Sequence, residues 1–327
     1  MPAAAATPDM AGGCGTTPIL GPQHTDTTPE CKACVDKSCC DVRAACSAAP
    51  ECAAVRDCFA KCASADDSAC FTACNQAHPN GSQASGNFAT CRSSMCGVEC
   101  ANYACLGKVT WPERNASKQL TIRIDDFVDR KPIAGATVKV CDVADAACAN
   151  PRATTTTAMD GTAMIQLTQI KGGLDGYVEI SGPMLATTLS FVRDPEPNKI
   201  FAISPLPIFG FRQSSINLIA ASGGLTFDPN RGSVVFTAWQ CVTTPAPGLK
   251  VSADKADGMS TTFYLAGGVP STKADRTDRN GTGGVINIPP GPVAITTTLA
   301  ATGAAHGKFT GVVRAGALTA VDIFPTP

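Results

Sequence analysis

The chain has 327 residues, a formal net charge of −1, only 16% charged residues and 18 cysteines. That balance leaves no basic face for nucleic acid and no polybasic run for an anionic membrane, and a chain of this length holds two or three domains. No run of eighteen apolar residues occurs, so no transmembrane segment is expected.

Residues 1–28 are rich in Ala, Thr, Pro and Gly without apolar periodicity, which is the composition of a flexible arm. Residues 1–13 carry neither a positive n-region nor an apolar h-region, so an export signal is expected to lie outside the sequence. Cys14 follows Ala11-Gly12-Gly13, a small-residue context that resembles a bacterial lipid-attachment cysteine. Lipidation of Cys14 and an ordinary linker thiol both stay open.

Residues 29–106 hold fourteen of the cysteines, and between Cys31 and Cys105 there is not one Leu or Ile. A segment that long normally buries branched aliphatics to offset its ordering entropy. Covalent or metallic links are needed instead. Cys31 and Cys34 form a Cys-x-x-Cys pair of the zinc type, but the recurring spacing is Cys-x-x-x-Cys, which favours disulfides and an oxidising compartment. Cys58/Cys62, Cys70/Cys74 and Cys96/Cys100 each project from one helix face. Helices are predicted near 30–48, 50–64, 67–77 and 84–96, with Pro50 in a first turn and Asp66 and Asp67 at a helix start. The pairs at 58/62 and 70/74 resemble an α-hairpin stapled by nested disulfides. That resemblance implies bonds from Cys58 to Cys74 and from Cys62 to Cys70.

After Cys105 the pattern changes to short apolar alternations punctuated by Gly, Pro, Asp and Asn, as in all-β sandwiches. Strands are predicted around Leu120–Ile124, Val138–Val140, Met164–Leu167 and Val178–Ile180. A second set surrounds Val234–Phe236, Leu249–Val251, Phe263–Leu265, Ile286–Ile288, Val293–Ile295 and Val321–Ile323. The two regions repeat one another: Pro132 to Val140 parallels Pro245 to Val251, and Ala158 to Gly161 parallels Thr277 to Gly281. The turns at Pro245–Val251, Thr277–Gly281 and Pro289–Val293 resemble the carboxypeptidase regulatory-like family, a transthyretin-like (prealbumin-like) sandwich grouped with carbohydrate-binding-like folds. The cysteine-rich region resembles modules of bacterial surface proteins. The resemblance implies spacers or binding platforms, and the zinc site of the family's catalytic domain has no counterpart, because no His begins a His-x-x-Glu pair.

Cys141 and Cys148 flank an acidic loop, and a disulfide closing it is expected. Parity then leaves Cys14 and Cys241, which either pair with each other or leave Cys14 lipidated and Cys241 free. Asp278–Gly284 superficially resembles a calcium loop, but its twelfth position is Pro289 where an acid is required. Asp125, Asp126 and Asp129 form an acidic cluster after a strand, read as a solvated loop, with weak calcium binding as the alternative. Trp111 and Trp239 read as core or domain-edge residues rather than a sugar-stacking pair. Asn80, Asn115 and Asn280 begin glycosylation sequons.

The expected architecture is multidomain: a flexible arm (1–28), a small all-α disulfide-rich domain (29–106), and two all-β Greek-key sandwiches (107–207 and 230–327) joined by a linker with a short helix (208–229). No catalytic, cofactor or metal residue is assigned. The expected role is a non-enzymatic secreted or cell-surface adhesion or scaffold protein with weak affinity for carbohydrate or cell wall, its partner an unidentified surface glycan or protein. Two other classes stay open: a self-associating subunit of an extracellular fibre or layer, and an enzyme or inhibitor built on the cysteine-rich hairpin.

Overall fold

The computed structural model describes residues 14, 28–62, 68–101, 103, 105–108, 118–167, 175–193, 206–241 and 244–326. Asp66, Asp67, Trp111 and Asn115 lie outside the described residues. The chain divides into two compact units, Met1–Asn102 and Tyr103–Pro327.

The first unit is helical: α1 (Pro29–Ser38), α2 (Cys40–Ala48), α3 (Pro50–Phe59), α4 (Ser68–Ala77) and α5 (Ser82–Met95). Proline opens α1 and α3, where its fixed φ suits the first turn and its missing N–H costs nothing. Thr28 caps α1 by accepting a hydrogen bond from the Cys31 N–H at 3.1 Å. The helix expected over 30–48 breaks at Cys39 (φ −128°, ψ 16°). Adjacent positions on a continuous helix point about 100° apart, and the break lets Cys39 and Cys40 reach different partners, Cys91 and Cys14. The interior is mostly sulfur: Cys31, Cys39 and Cys96 cluster with Val35 and Phe88, and Cys62 and Cys74 with Val55. Arg56 lies over the Phe88 ring, 5.4 Å from its centroid. Burial, with a smaller push from Arg92, brings its pKa down to about 10, so it stays cationic at neutral pH.

The second unit is built from sixteen described strands and one described helix. β1 (Lys118–Asp126), β4 (Thr162–Leu167), β6 (Leu185–Ala186) and β8 (Leu206–Arg212) make a sheet of order β4-β1-β8-β6. β10 (Leu249–Ala253), β14 (Gly291–Leu299) and β15 (Ala305–Val313) make another. The remaining strands are β2 (Thr137–Asp142), β3 (Ala153–Thr156), β5 (Asp175–Ser181), β7 (Thr188–Arg193), β9 (Gly232–Ala238), β11 (Thr261–Ala266), β12 (Val269–Ser271), β13 (Thr282–Ile288) and β16 (Leu318–Ile323). These form one nine-stranded sheet of order β12-β11-β13-β9-β16-β7-β5-β2-β3.

The two β regions are therefore joined edge to edge, because β16 pairs in parallel with β7. Residues 208–229 do not act as a bare linker. β8 adds in parallel to β1, and α6 (Gln213–Ser222) follows it directly. The joint buries β5 on both faces. Val178 and Ile180 pack into the core of the first half, while Tyr177 faces a core that includes Phe236, Phe309 and Val321. A strand covered on both faces reads as a continuous apolar run, and residues 176–180 are all buried. Glu179 sits in that run, held by Lys139 at 3.3 Å and by Arg314, whose guanidinium also donates to the Ala147 carbonyl at 3.3 Å.

The sequence repeat corresponds to one physical device built twice. In the first half the buried Thr157 hydroxyl donates to the Ile133 carbonyl (2.7 Å) and accepts from the Ala136 N–H (2.9 Å). In the second half Thr277 donates to Ala246 (2.7 Å) and accepts from Leu249 (2.9 Å). Gly161 (φ 76°) and Gly281 (φ 65°) close the matching turns, and a Cβ there would lie 2.7 Å from the Ile124 carbonyl oxygen and 2.5 Å from that of Ala238. Only glycine fits both the backbone and the space.

Replacing Thr277 with valine keeps the shape but strands a buried carbonyl and N–H, so a loss of about 1–3 kcal/mol in denaturant unfolding is expected. Thr277→Ser, which keeps the hydroxyl, should lose less.

Candidate functional site

The chemistry-bearing residues singled out in the sequence are the cysteines, and all eighteen are bonded, leaving no free thiol. Cys31–Cys100, Cys34–Cys96 and Cys39–Cys91 tie α1 and its end to α5 and the turn beyond it. Cys46–Cys52 spans the α2–α3 corner, while Cys58–Cys74 and Cys62–Cys70 join α3 to α4 and the segments beside them. Cys96 and Cys100, placed on one face by their spacing, both return to α1. In the second unit Cys141 is bonded to Cys148, and Tyr177 donates its hydroxyl hydrogen to the Asp145 carbonyl inside the loop so closed (2.6 Å).

The parity reading of the outlying cysteines needs correction. Cys14 is neither lipidated nor joined to Cys241: its sulfur is bonded to Cys40, and Cys241 is bonded to Cys105. The mistake lay in assigning cysteines to bonds by their nearness in sequence. Cys40, just past the helix break, is bonded to Cys14, whereas Cys105 lies past the first unit and beside the Gln240–Cys241 turn. Tyr103 supports that seam by donating to the Pro247 carbonyl and standing edge-on to His306.

The metal readings meet occupied ligands. The sulfurs of Cys62, Cys70 and Cys74 lie within 4.8 Å of one another, but each is in a disulfide and offers no thiolate. Asp278 accepts N–H groups on both oxygens, from Asn280 (2.9 Å) and Gly267 (3.1 Å), as a turn residue does. In the acidic cluster, Asp126 is buried and accepts from the Val128 and Asp129 N–H groups and from Arg212 at 2.8 Å. Burial raises its pKa, but these donors outweigh that and leave it below the usual carboxylate range. Asp125 pairs with Arg123 (2.9 Å) and Asp129 with Lys131 (3.6 Å). Trp239 donates to Asp322 at 2.9 Å and stacks on Phe324.

One titratable group was passed over in the sequence. His306 on β15 is fully buried, with Nδ1 2.8 Å from the Thr297 hydroxyl and Nε2 2.9 Å from the Trp239 carbonyl. The carbonyl can only accept, so Nε2 carries the proton and Nδ1 accepts from Thr297. Desolvation lowers its pKa, against a smaller upward pull from the Trp239 carbonyl. Its alternating position in β15 was the available signal, but no lone histidine is distinguishable from a surface one by sequence.

No protein-family model matches the chain, and no curated protein matches it in sequence. Solved structures to which it is similar include the shaft pilin SpaA of Lactobacillus rhamnosus GG, 10% identical, with 64% of this chain and 98% of that chain covered at a TM-score of 0.21. The Bacillus anthracis TIE protein is 14% identical, with 64% of this chain and 34% of that chain covered at 0.19. A streptococcal ancillary pilin is 11% identical, with 64% and 70% covered at 0.18. Scores this low carry no weight for this chain's fold or activity.

The His306 environment has a pH signature. A histidine held neutral by the fold protonates more readily when unfolded, so its contribution is complete above about pH 6.5 and is lost as pH falls below that value. Equilibrium unfolding across the acid range should show that slope, and His306→Gln should flatten it.

Proposed function

We propose that this is a non-enzymatic protein, secreted or held at the cell surface, whose disulfide-bonded head and β platform act as an adhesion or scaffold module. The observation that carries the reading is the consumption of every cysteine in a disulfide. Nine such bonds persist only in an oxidising compartment, and a reduced cytosol would leave the head without a core. The resemblance to carboxypeptidase regulatory-like, transthyretin-like sandwiches belongs to this reading, since such domains present loops and sheet faces rather than reaction centres.

Labelling intact cells of the native host with a membrane-impermeant amine reagent tests the reading. Recovery of the labelled chain from the surface, or of the chain from the medium, unreactive to thiol alkylation, is expected. Recovery only from the cytosol with alkylatable thiols would overturn it.

A second reading, self-association into a fibre or layer, is favoured by one specific feature. Among the described residues β4 is a six-residue edge of its sheet, and it carries Met164, 65% exposed, while Met159 in the turn before it is 88% exposed. Such an edge offers unpaired backbone groups to another strand. Sizing across a concentration series should show growth that Met164→Lys suppresses.

A further inference from the structure

A pocket of about 280 Å³ lies where the two β regions meet, between α6, the turn before β9 and the entry to β16. We propose that it binds one neutral sugar ring, a hexopyranoside at the end of a glycan. The ligand class rests on the display reading above; the pocket's shape and chemistry do not.

The pocket is amphipathic in the way a sugar is. Ile216 and Leu318 supply an apolar floor, both less than a tenth exposed. Around it stand groups able to bond hydroxyls. Gln213 and Asn217 lie one helical turn apart and share one bond, from Gln213 Nε2 to Asn217 Oδ1 at 3.2 Å, so among the described residues the Gln213 side-chain oxygen and the Asn217 amide nitrogen remain open. Asp228 accepts from the Asn230 N–H at 2.9 Å, and among the described residues its carboxylate has no ion-pair partner. Ser233 adds a hydroxyl. It is 4% exposed, it lines the pocket, and among the described residues its hydroxyl has no hydrogen-bond partner. A ligand hydroxyl in the pocket would supply one.

Charge narrows the class. Arg231 forms one wall, but its charge is matched by Asp257 (2.6 Å), and it also donates to the Asn287 carbonyl (2.5 Å) and the Met259 sulfur (3.8 Å). The unmatched charge in the pocket is therefore the Asp228 carboxylate, which repels phosphates and carboxylates. An organic ammonium would satisfy Asp228 and leave both amides and Ser233 unmatched. A ring with vicinal hydroxyls donates to Asp228 and Gln213, accepts from Asn217, and lays its C–H face on Ile216 and Leu318. The volume is just under the roughly 300–1,000 Å³ of drug-sized sites, which suits one ring rather than an oligosaccharide.

The test uses the full oxidised, isotope-labelled chain, titrated with the methyl glycosides of glucose, galactose, mannose and N-acetylglucosamine, and with cyclohexanol and tetramethylammonium as controls. Saturable shifts of the Asn217, Ser233 and Ala317 amides with at least one glycoside are expected, and none with cyclohexanol. Asp228→Asn and Asn217→Ala should each weaken binding about tenfold with unchanged thermal unfolding. No saturation by any glycoside, saturation unaffected by both variants, or tighter binding of tetramethylammonium would overturn the proposal. Such a failure in a chain still recovered oxidised from the cell surface would remove the sugar site and leave the display reading standing.

Discussion

The constraint on which the helical unit depends is covalent. Its helices are short, nine to fourteen residues, and isolated helices of that length are marginal in water. The aliphatic side chains that would ordinarily hold them together are absent, and Val35, Val55 and Phe88 are too few to replace them. Cystine fills the space instead. Each closed loop restricts the unfolded chain by about 2–4 kcal/mol, and the sulfurs themselves become the buried apolar matter. An oxidising compartment is then a condition for the fold.

The β unit is held by different physics. Its cores are aliphatic and aromatic, and a buried Phe or Leu such as Phe236 or Leu249 contributes about 1.5–3 kcal/mol by leaving water. What makes the two halves alike is the Thr157 and Thr277 bridge with its glycine turn, which ties the start of β2 and of β10 to the segment leading into β4 and β13. What makes them one body is the parallel β16–β7 pairing and the shared packing around Tyr177, Phe191 and Phe309. The same joint creates the pocket under α6, so the candidate ligand site depends on the fusion of two halves rather than on either alone.

The helical segments and most apolar strands were legible because their patterns are local. So were the internal repeat and the short helix before β9. Strands β3, β6, β7, β12 and β15 lie outside the expected set: β6 and β12 are only two and three residues long, β3 is nearly all Thr, and β15 mixes Gly, His and Lys with its apolar residues. Residues 208–212 fall in the expected linker, yet Leu206–Arg212 lies along β1, with Pro207 near the strand's start, where proline is tolerated. The fusion into one sheet was hidden for a physical reason: β16 and β7 are more than a hundred residues apart, and alternation does not name a partner. Cys105–Cys241 was hidden likewise, since its partners are 136 residues apart. The pocket was not legible at all, because Gln213, Asp228 and Ser233 are ordinary in sequence and meet only in the folded unit.

The most direct measurement is hydrogen exchange on the whole oxidised chain, repeated after reduction and alkylation under native conditions. If cystine is the core of the head, amides of α1–α5 lose protection together while those of β9, β13 and β16 keep theirs. Retained protection in α1–α5 after reduction would contradict the account, because the few apolar side chains there would then suffice.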